Sequence, residues 1–385
     1  LCTRDKKEDV LKFINRFPSH TPFIQNDISH FKIPFIESKP LKAKAYLRQG
    51  SVCYCADFRA YDTPMLMNLE LTTRCPLHCP QCYCELLGGK DMEFDTVLYW
   101  LKEASKNNVK TINLSGGETI IYPDLEKLIK VSSDFGMETN IALSGFGVDK
   151  EKLERLIESG VSEICISLNG STKEINKKTR DGYELAINTL QILKNMNYKK
   201  TYINWVMHSN NASDFKEMIK LAEKYNVCGL VVMVFKPAAK NQRKSVPSVV
   251  QIYEIAKCIK EYKGIVNIEV EECFSQLKAV LGKRFFTNLN QGISKGCGAG
   301  RDGISVSVDG KLTPCRHLEI KEDFDTIRQY WENSNVLKQI RQIEDNKKEP
   351  CNSCTYKNYC LPCVAVNWKM NKEIYMGEDG CAIGK

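Results

Sequence analysis

Cys75, Cys79 and Cys82 follow one another at C-x3-C-x2-C spacing in the stretch CPLHCPQCYC (75–84), and Cys84 closes it. Thiolates at this density select soft metals. A disulfide knot is the poorer reading in a chain with no visible secretory signal, because reducing compartments keep thiols free. A structural zinc site usually takes four ligands as two close pairs. Here the gaps are three and two residues, so His78 or Cys84 would have to complete the set. A cubane [4Fe–4S] cluster needs four iron ligands. Three thiolates in one loop would hold three irons and leave the fourth open to another molecule.

A second candidate lies one strand further on. NLSGGETIIYPDL places Gly116, Gly117 and Glu118 after an apolar run. Glycines let a ligand approach the backbone, and a carboxylate accepts hydrogen bonds from an ammonium group.

These residues have to be held by something. From residue 66 to about 270, short apolar runs alternate with longer amphipathic ones. MLMNLEL (65–71) reads as a buried strand, and 94–108 as a helix with Asp95 as its cap. KTINLS precedes a helix over 123–136 that stops at Gly136. ETNIALS precedes a helix at 149–159, SEICISL one at 181–197, TYINWVM one at 213–225, and CGLVVMVF one at 247–262. Six strand–helix units imply a parallel α/β sheet, as an incomplete barrel or, second, a doubly wound sheet. In both, reactive residues belong in loops after the strands' C-terminal ends.

Past about 285 the rhythm weakens and cysteines return: Cys297, Cys315, Cys351, Cys354, Cys360, Cys363 and Cys381. Two CxxC pairs alone would suit a zinc ribbon, but seven cysteines exceed one tetrahedral site and fall one short of two. Upstream, KKEDVLKFINRF reads as a helix and KAKAYLRQGSVCYCADF as a hairpin turning at Gln49–Gly50.

The chain has 385 residues, a formal charge of +8 and 18 cysteines. The mild, scattered charge brings no nucleic-acid motif with it. No apolar run reaches the roughly 18 residues of a membrane span. The expectation is a cytoplasmic protein with no nucleic-acid or membrane partner.

The C-x3-C-x2-C loop after the first strand, with GGE after the second, resembles the radical S-adenosylmethionine (SAM) enzymes. That resemblance covers about 65–270 and implies a partial (β/α)6 TIM-like barrel. Cys75, Cys79 and Cys82 would bind the cluster, whose open iron takes the amino and carboxylate groups of SAM. Gly116, Gly117 and Glu118 would hold the SAM ammonium, and Ser144, Ser167 and Arg180 match further SAM-contact positions. Gln81 stands where the family usually has an aromatic residue near the adenine. Cys84 and His78 then become bystanders.

The later cysteines resemble a SPASM domain, which carries two auxiliary [4Fe–4S] clusters. The final spacing and the first gap depart from the family pattern. The resemblance assigns Cys351, Cys354, Cys360 and Cys381 to the distal cluster and Cys297, Cys315 and Cys363 to the proximal one. The proximal set is a ligand short: either Cys273 supplies it or one iron stays open to substrate.

The expected organisation is an N-terminal helix/hairpin element over 1–62, a possible partial leader-peptide module. The radical SAM barrel follows over 63–270 and the SPASM domain over 271–385. The implied cofactors are three [4Fe–4S] clusters and SAM. The implied partners are a ribosomal precursor peptide and a flavodoxin- or ferredoxin-type reductant. The expected activity is installation of a thioether or other crosslink. The alternatives are a peptide epimerase using Cys84, Cys165 or Cys228 as hydrogen donor, a sulfatase-maturase-like or small-molecule dehydrogenase, and a zinc-binding adaptor.

Overall fold

The structure is a computed structural model. It describes residues 60–84, 89–237, 239–282, 296–318, 320–357, 360–375, 381 and 383, with the backbone of 44–48 and 51–55. Strands β1 (Leu66–Thr72), β2 (Thr111–Gly116), β3 (Glu138–Leu143), β4 (Glu163–Ser167), β5 (Thr201–Met207) and β6 (Gly229–Val234) lie side by side in chain order, all parallel. Each is followed by its helix: α1 (Phe94–Lys106), α2 (Leu125–Asp134), α3 (Lys150–Glu158), α4 (Tyr183–Asn195), α5 (Phe215–Lys224) and α6 (Val249–Glu261). Strand order that never reverses rules out the doubly wound alternative, which needs a switch point. Among the described residues the sheet's two edges are not paired with each other, so the barrel is open.

The strands alternate rather than being apolar throughout. Leu69, Leu114, Ile141 and Ile164 stand opposite one another across β1–β4 and are buried against the helices. On the other face, Asn113 Nδ2 donates to Asn68 Oδ1 at 3.1 Å and Asn68 Nδ2 to Ser305 Oγ at 3.3 Å. A barrel interior lined with amides is wet or ligand-filled, because buried amides need partners.

Two of the six helices start on a side-chain cap, and one expected cap goes unused. Asp149 caps α3 by accepting from Lys152 N at 2.7 Å, and Ser248 and Gln251 form a capping box on α6. Asp95, expected to cap α1, lies in its first turn; Glu93 holds the cap position without a side-chain bond. There the carboxylate still favours the positive end of the helix dipole. Gly136 takes a left-handed φ of +75° just past α2, as expected of a glycine terminator.

Two features had no clear sequence signature. β7 (Asn267–Val270) adds to β6, and β8 (Gly303–Val306) pairs in parallel with β1, carrying antiparallel β9 (Leu312–Thr313). The sheet thus runs on past residue 270 into the cysteine-rich C-terminal region. That region has its own small apolar cluster, in which Leu318, Ile340, Leu361 and Val364 surround Cys297 and Cys363.

The hairpin around Gln49–Gly50 is present as strands Lys44–Arg48 and Ser51–Cys55, with Arg48 opposite Ser51; it belongs to a separate compact unit. The helix expected at KKEDVLKFINRF lies outside the described residues. No helix among the described residues is long and apolar enough to cross a membrane.

Candidate active site

The cysteine loop leaves β1 at Thr72 and is pinned at once. Arg74 forks onto Asp91, Nε to Oδ1 at 2.9 Å and Nη2 to Oδ2 at 2.7 Å, and also donates to the Ile121 carbonyl at 3.1 Å. Its other side is stitched to residues 179–181. Gln81 N donates to Thr179 O at 3.4 Å, Asp181 N to Cys79 Sγ at 3.5 Å, and His78 N to Asp181 Oδ2 at 3.4 Å. Those bonds bring Arg180 alongside the loop. Asn169, fully buried after β4, ties the same segment to the barrel through Thr179 Oγ1 (3.2 Å) and Val206 N (3.0 Å). In the SLNG stretch, Asn169 therefore has a scaffolding role.

Gly116 and Gly117 are needed for close backbone approach, but the neighbour is the cysteine loop itself. Gly117 N donates to Thr72 O at 2.7 Å and Glu118 N to Arg74 O at 2.9 Å. A Cβ on Gly117 would stand 2.2 Å from the Arg74 carbonyl oxygen, and one on Gly116 would stand 2.4 Å from that of Thr72. Gly116 also has φ of +150°. Replacing Gly117 with Ala is therefore expected to destabilise the fold by about 1–3 kcal/mol, as overpacking against backbone does. It would lower the midpoint of thermal unfolding and loosen SAM binding; an unchanged midpoint would contradict this.

One cavity gathers the proposed residues. Cys75, Cys79 and Cys82 line it together with Gln81. Gly116, Gly117, Glu118, Ser144, Ser167 and Arg180 complete the near wall. They come from the C-terminal ends of β1 to β4 or from the loops beyond them. Glu118 is 2% exposed and accepts from Ser144 N at 3.1 Å through Oε2. Its Oε1, the Arg180 Nε and the Gln81 Oε1 are buried without a hydrogen-bond partner. Orphaned polar atoms aimed at one cavity are costly unless a ligand satisfies them. An acceptor for an ammonium and a donor for a carboxylate fit the amino-acid end of SAM.

Burial raises the Glu118 carboxyl above the usual range. The hydrogen bond from Cys84 draws the Cys82 thiol down to about 6, against the effect of burial, and the Arg180 charge contributes. Cys84 also donates to Gly116 O at 3.5 Å. It is thus a neighbour of the loop that shapes Cys82, whereas His78 is exposed. Among the described residues no three His, Cys, Asp or Glu side chains surround one metal-ion position. A cubane takes its thiolates on different irons, so its ligands need not share one coordination sphere.

Of the hydrogen donors considered for an epimerase, Cys84 lines the cavity and Cys165 and Cys228 do not. Cys228 precedes β6 at the opposite end of the barrel, exposed and bonded to Tyr202 at 3.4 Å. In the second group, Cys273 Sγ lies 3.8 Å from Cys297 Sγ and also meets Cys363. Cys315 is close enough to Cys273 for their charges to interact. The fold thus assembles four thiols from positions far apart in the chain. Cys351, Cys354, Cys360 and Cys381 are all half-buried.

The sequence reading missed the far wall. Val206 and Phe235 come from the C-terminal ends of β5 and β6, which the strand-end rule could have found. Arg316, His317 and Lys369 come from the C-terminal region. The His317 ring packs on Tyr83 at 4.3 Å, so the segment after Cys315 rests on the residue after Cys82.

An open parallel barrel thus carries a three-thiol loop and a carboxylate cradle at its mouth. The radical SAM superfamily model matches residues 69–222. The PqqA peptide cyclase of Ruegeria pomeroyi is 30% identical over 315 residues, 77% of this chain and 80% of that protein. The AdoMet-dependent heme synthase of Methanosarcina barkeri is 24% identical over 332 residues, 79% and 92% of the two chains. The fold matches Streptococcus suis SuiB bound to its precursor peptide SuiA with a TM-score of 0.67 at 17% identity, covering 84% of this chain and 77% of that one. The chain belongs to the radical SAM superfamily, whose members use SAM and a [4Fe–4S] cluster.

Proposed function

We propose that this chain is a radical SAM peptide maturase that abstracts a hydrogen from a ribosomal precursor peptide and installs a thioether or another crosslink. The supporting observation is the cavity itself. The three-thiol loop and the orphaned Glu118 and Arg180 atoms share it with a wall built from the cysteine-rich C-terminal region. Similarity to a peptide cyclase over most of both chains supports the peptide as substrate.

Cys75, Cys79 and Cys82 would hold the catalytic cluster, which with SAM supplies methionine and a 5′-deoxyadenosyl radical. Glu118 and Arg180 orient the amino acid end of SAM, with Gly116 and Gly117 setting the approach. Ser144, Ser167 and Gln81 border the remainder and would face the base and the ribose. The far wall, closed by Phe235 and the Tyr83–His317 stack, excludes water and aims the radical at one hydrogen. Cys273, Cys297, Cys315 and Cys363 would hold a proximal auxiliary cluster, Cys273 filling the place otherwise left open, and Cys351, Cys354, Cys360 and Cys381 a distal one. A flavodoxin- or ferredoxin-type protein of the cytoplasm would supply the electron.

Anaerobically reconstituted protein is expected to carry about twelve irons, four per [4Fe–4S] cluster, and to consume SAM when reduced. Product mass then decides the reaction. A crosslink loses two hydrogens, whereas epimerisation in D2O gains one mass unit. Stoichiometric zinc without iron would refute the assignment.

A further inference from the structure

The cavity is strongly one-sided in charge. Arg180, Lys236, Arg316 and Lys369 line it against the single carboxylate of Glu118. On the reading above, Glu118 and Arg180 are both used by SAM. Lys236 donates to both oxygens of Glu271 at 2.9 Å, and its side chain is 9% exposed. Burial opposes its charge, but the Glu271 carboxylate outweighs that and holds the ammonium above its usual range. Lys236 is therefore a neutralised pair.

Arg316 is different. It is half-buried, its guanidinium lies 5.2 Å from the centre of the Tyr83 ring, and among the described residues no carboxylate pairs with it directly, although Glu271 and Glu70 act on its charge from farther off. A cation–π contact offsets only part of the cost of taking a guanidinium out of water. The neighbouring His317 ring packs on Tyr83 at 4.3 Å. A planar, permanently charged fork facing a cavity suits a carboxylate, which it can bind through two parallel hydrogen bonds.

We propose that Arg316 forms a carboxylate subsite, so that the substrate segment presented to the SAM site carries a free carboxylate. This rests on the radical SAM peptide reading and narrows it to acidic substrates. Two sources share that chemistry, an Asp or Glu side chain and a peptide C-terminus.

The test uses full-length reconstituted protein with SAM bound and three peptides, followed by saturation-transfer NMR and equilibrium dialysis. Ac-Ala-Glu-Ala-NH2 offers a side-chain carboxylate, Ac-Ala-Gln-Ala-OH a terminal one, and Ac-Ala-Gln-Ala-NH2 neither. At least one carboxylate peptide is expected to bind about tenfold or more tightly than the uncharged one. Removing one partner of a buried charged pair commonly costs more than that. The tighter of the two names the source. In Arg316→Gln that preference should collapse, with iron content and unfolding midpoint showing an intact fold.

Equal binding of all three peptides to the wild-type protein overturns the proposal without needing any variant. So does a preference that survives in Arg316→Gln. If that variant fails to fold, Arg316→Lys takes its place, keeping the charge without the planar fork, and a preference weakened there supports the subsite while an unchanged one opposes it. If Arg316 only offsets charge on the neighbouring auxiliary site, Arg316→Gln shifts that site's reduction potential and leaves peptide preference untouched, which also overturns it. Failure of the wild-type protein to bind SAM would instead strike the parent reading.

Discussion

Replacing Cys79 with Ala is expected to give a folded protein that has lost the chemistry. Iron should fall by about four per chain, one [4Fe–4S] cluster. Production of 5′-deoxyadenosine should drop more than about a thousandfold, because enzymes commonly sit 10⁶-fold or more above the uncatalysed reaction. The fold should survive. The Cys79 side chain is half-buried, and its sulfur accepts one long bond, from Asp181 N at 3.5 Å. The loop's attachment rests elsewhere, on Arg74–Asp91 and on the backbone bonds of Gly117 and Glu118. Iron content, the visible spectrum and product formation measured on one anaerobic preparation check this. Cys228→Ala, an exposed thiol at the other end of the barrel, should match the wild type in all three. Full iron loading of Cys79→Ala with intact SAM cleavage would remove the loop from the mechanism.

Glu118→Gln should separate binding from folding more sharply. The amide keeps an oxygen to accept from Ser144 N, so the local hydrogen bond of 3.1 Å survives. What is lost is the negative charge facing the SAM ammonium. Hydrogen bonds to charged groups contribute about 1.5–3 kcal/mol, which is about 10- to 150-fold in affinity. SAM binding by calorimetry should weaken by that factor.

The pH dependence has a definite sign. Burial raises the Glu118 carboxyl, so the SAM-free protein holds this proton at a pH where an exposed glutamate has lost it. The SAM ammonium favours the ionised form, so affinity should fall as pH falls through that raised value. In Glu118→Gln the slope should vanish. A slope that persists in the variant would place the titrating group elsewhere.

Much of the fold was legible because its signals are local. Strand and helix alternate within windows of a dozen residues, and Asp149, Ser248 and Gly136 mark helix ends with chemistry that acts within three or four positions. Asp95 misled for the same reason: a residue able to cap sits two places past the cap, and sequence alone does not say where the chain enters the helix. The cysteine loop was legible because its metal chemistry demands a fixed spacing within eight residues. The far wall carried no such mark. Arg316 and His317 look like an ordinary polar pair until the fold brings them onto Tyr83.

The sequence by itself determined a parallel α/β sheet from its periodicity, and its C-x3-C-x2-C and GGE motifs carried the resemblance to radical SAM enzymes; the strand order of the structure then chose the open barrel over a doubly wound sheet. Only the tertiary structure decided that the glycines of GGE clear the backbone of the cysteine loop and that Glu118 and Arg180 keep unpartnered atoms in one cavity. Likewise, only it placed Cys273 beside Cys297 and set β8 against β1, so that the C-terminal region walls the site. Those facts join residues tens to hundreds of positions apart. Burial and close packing act on atoms that meet in space, and the distance between them along the chain leaves no local trace.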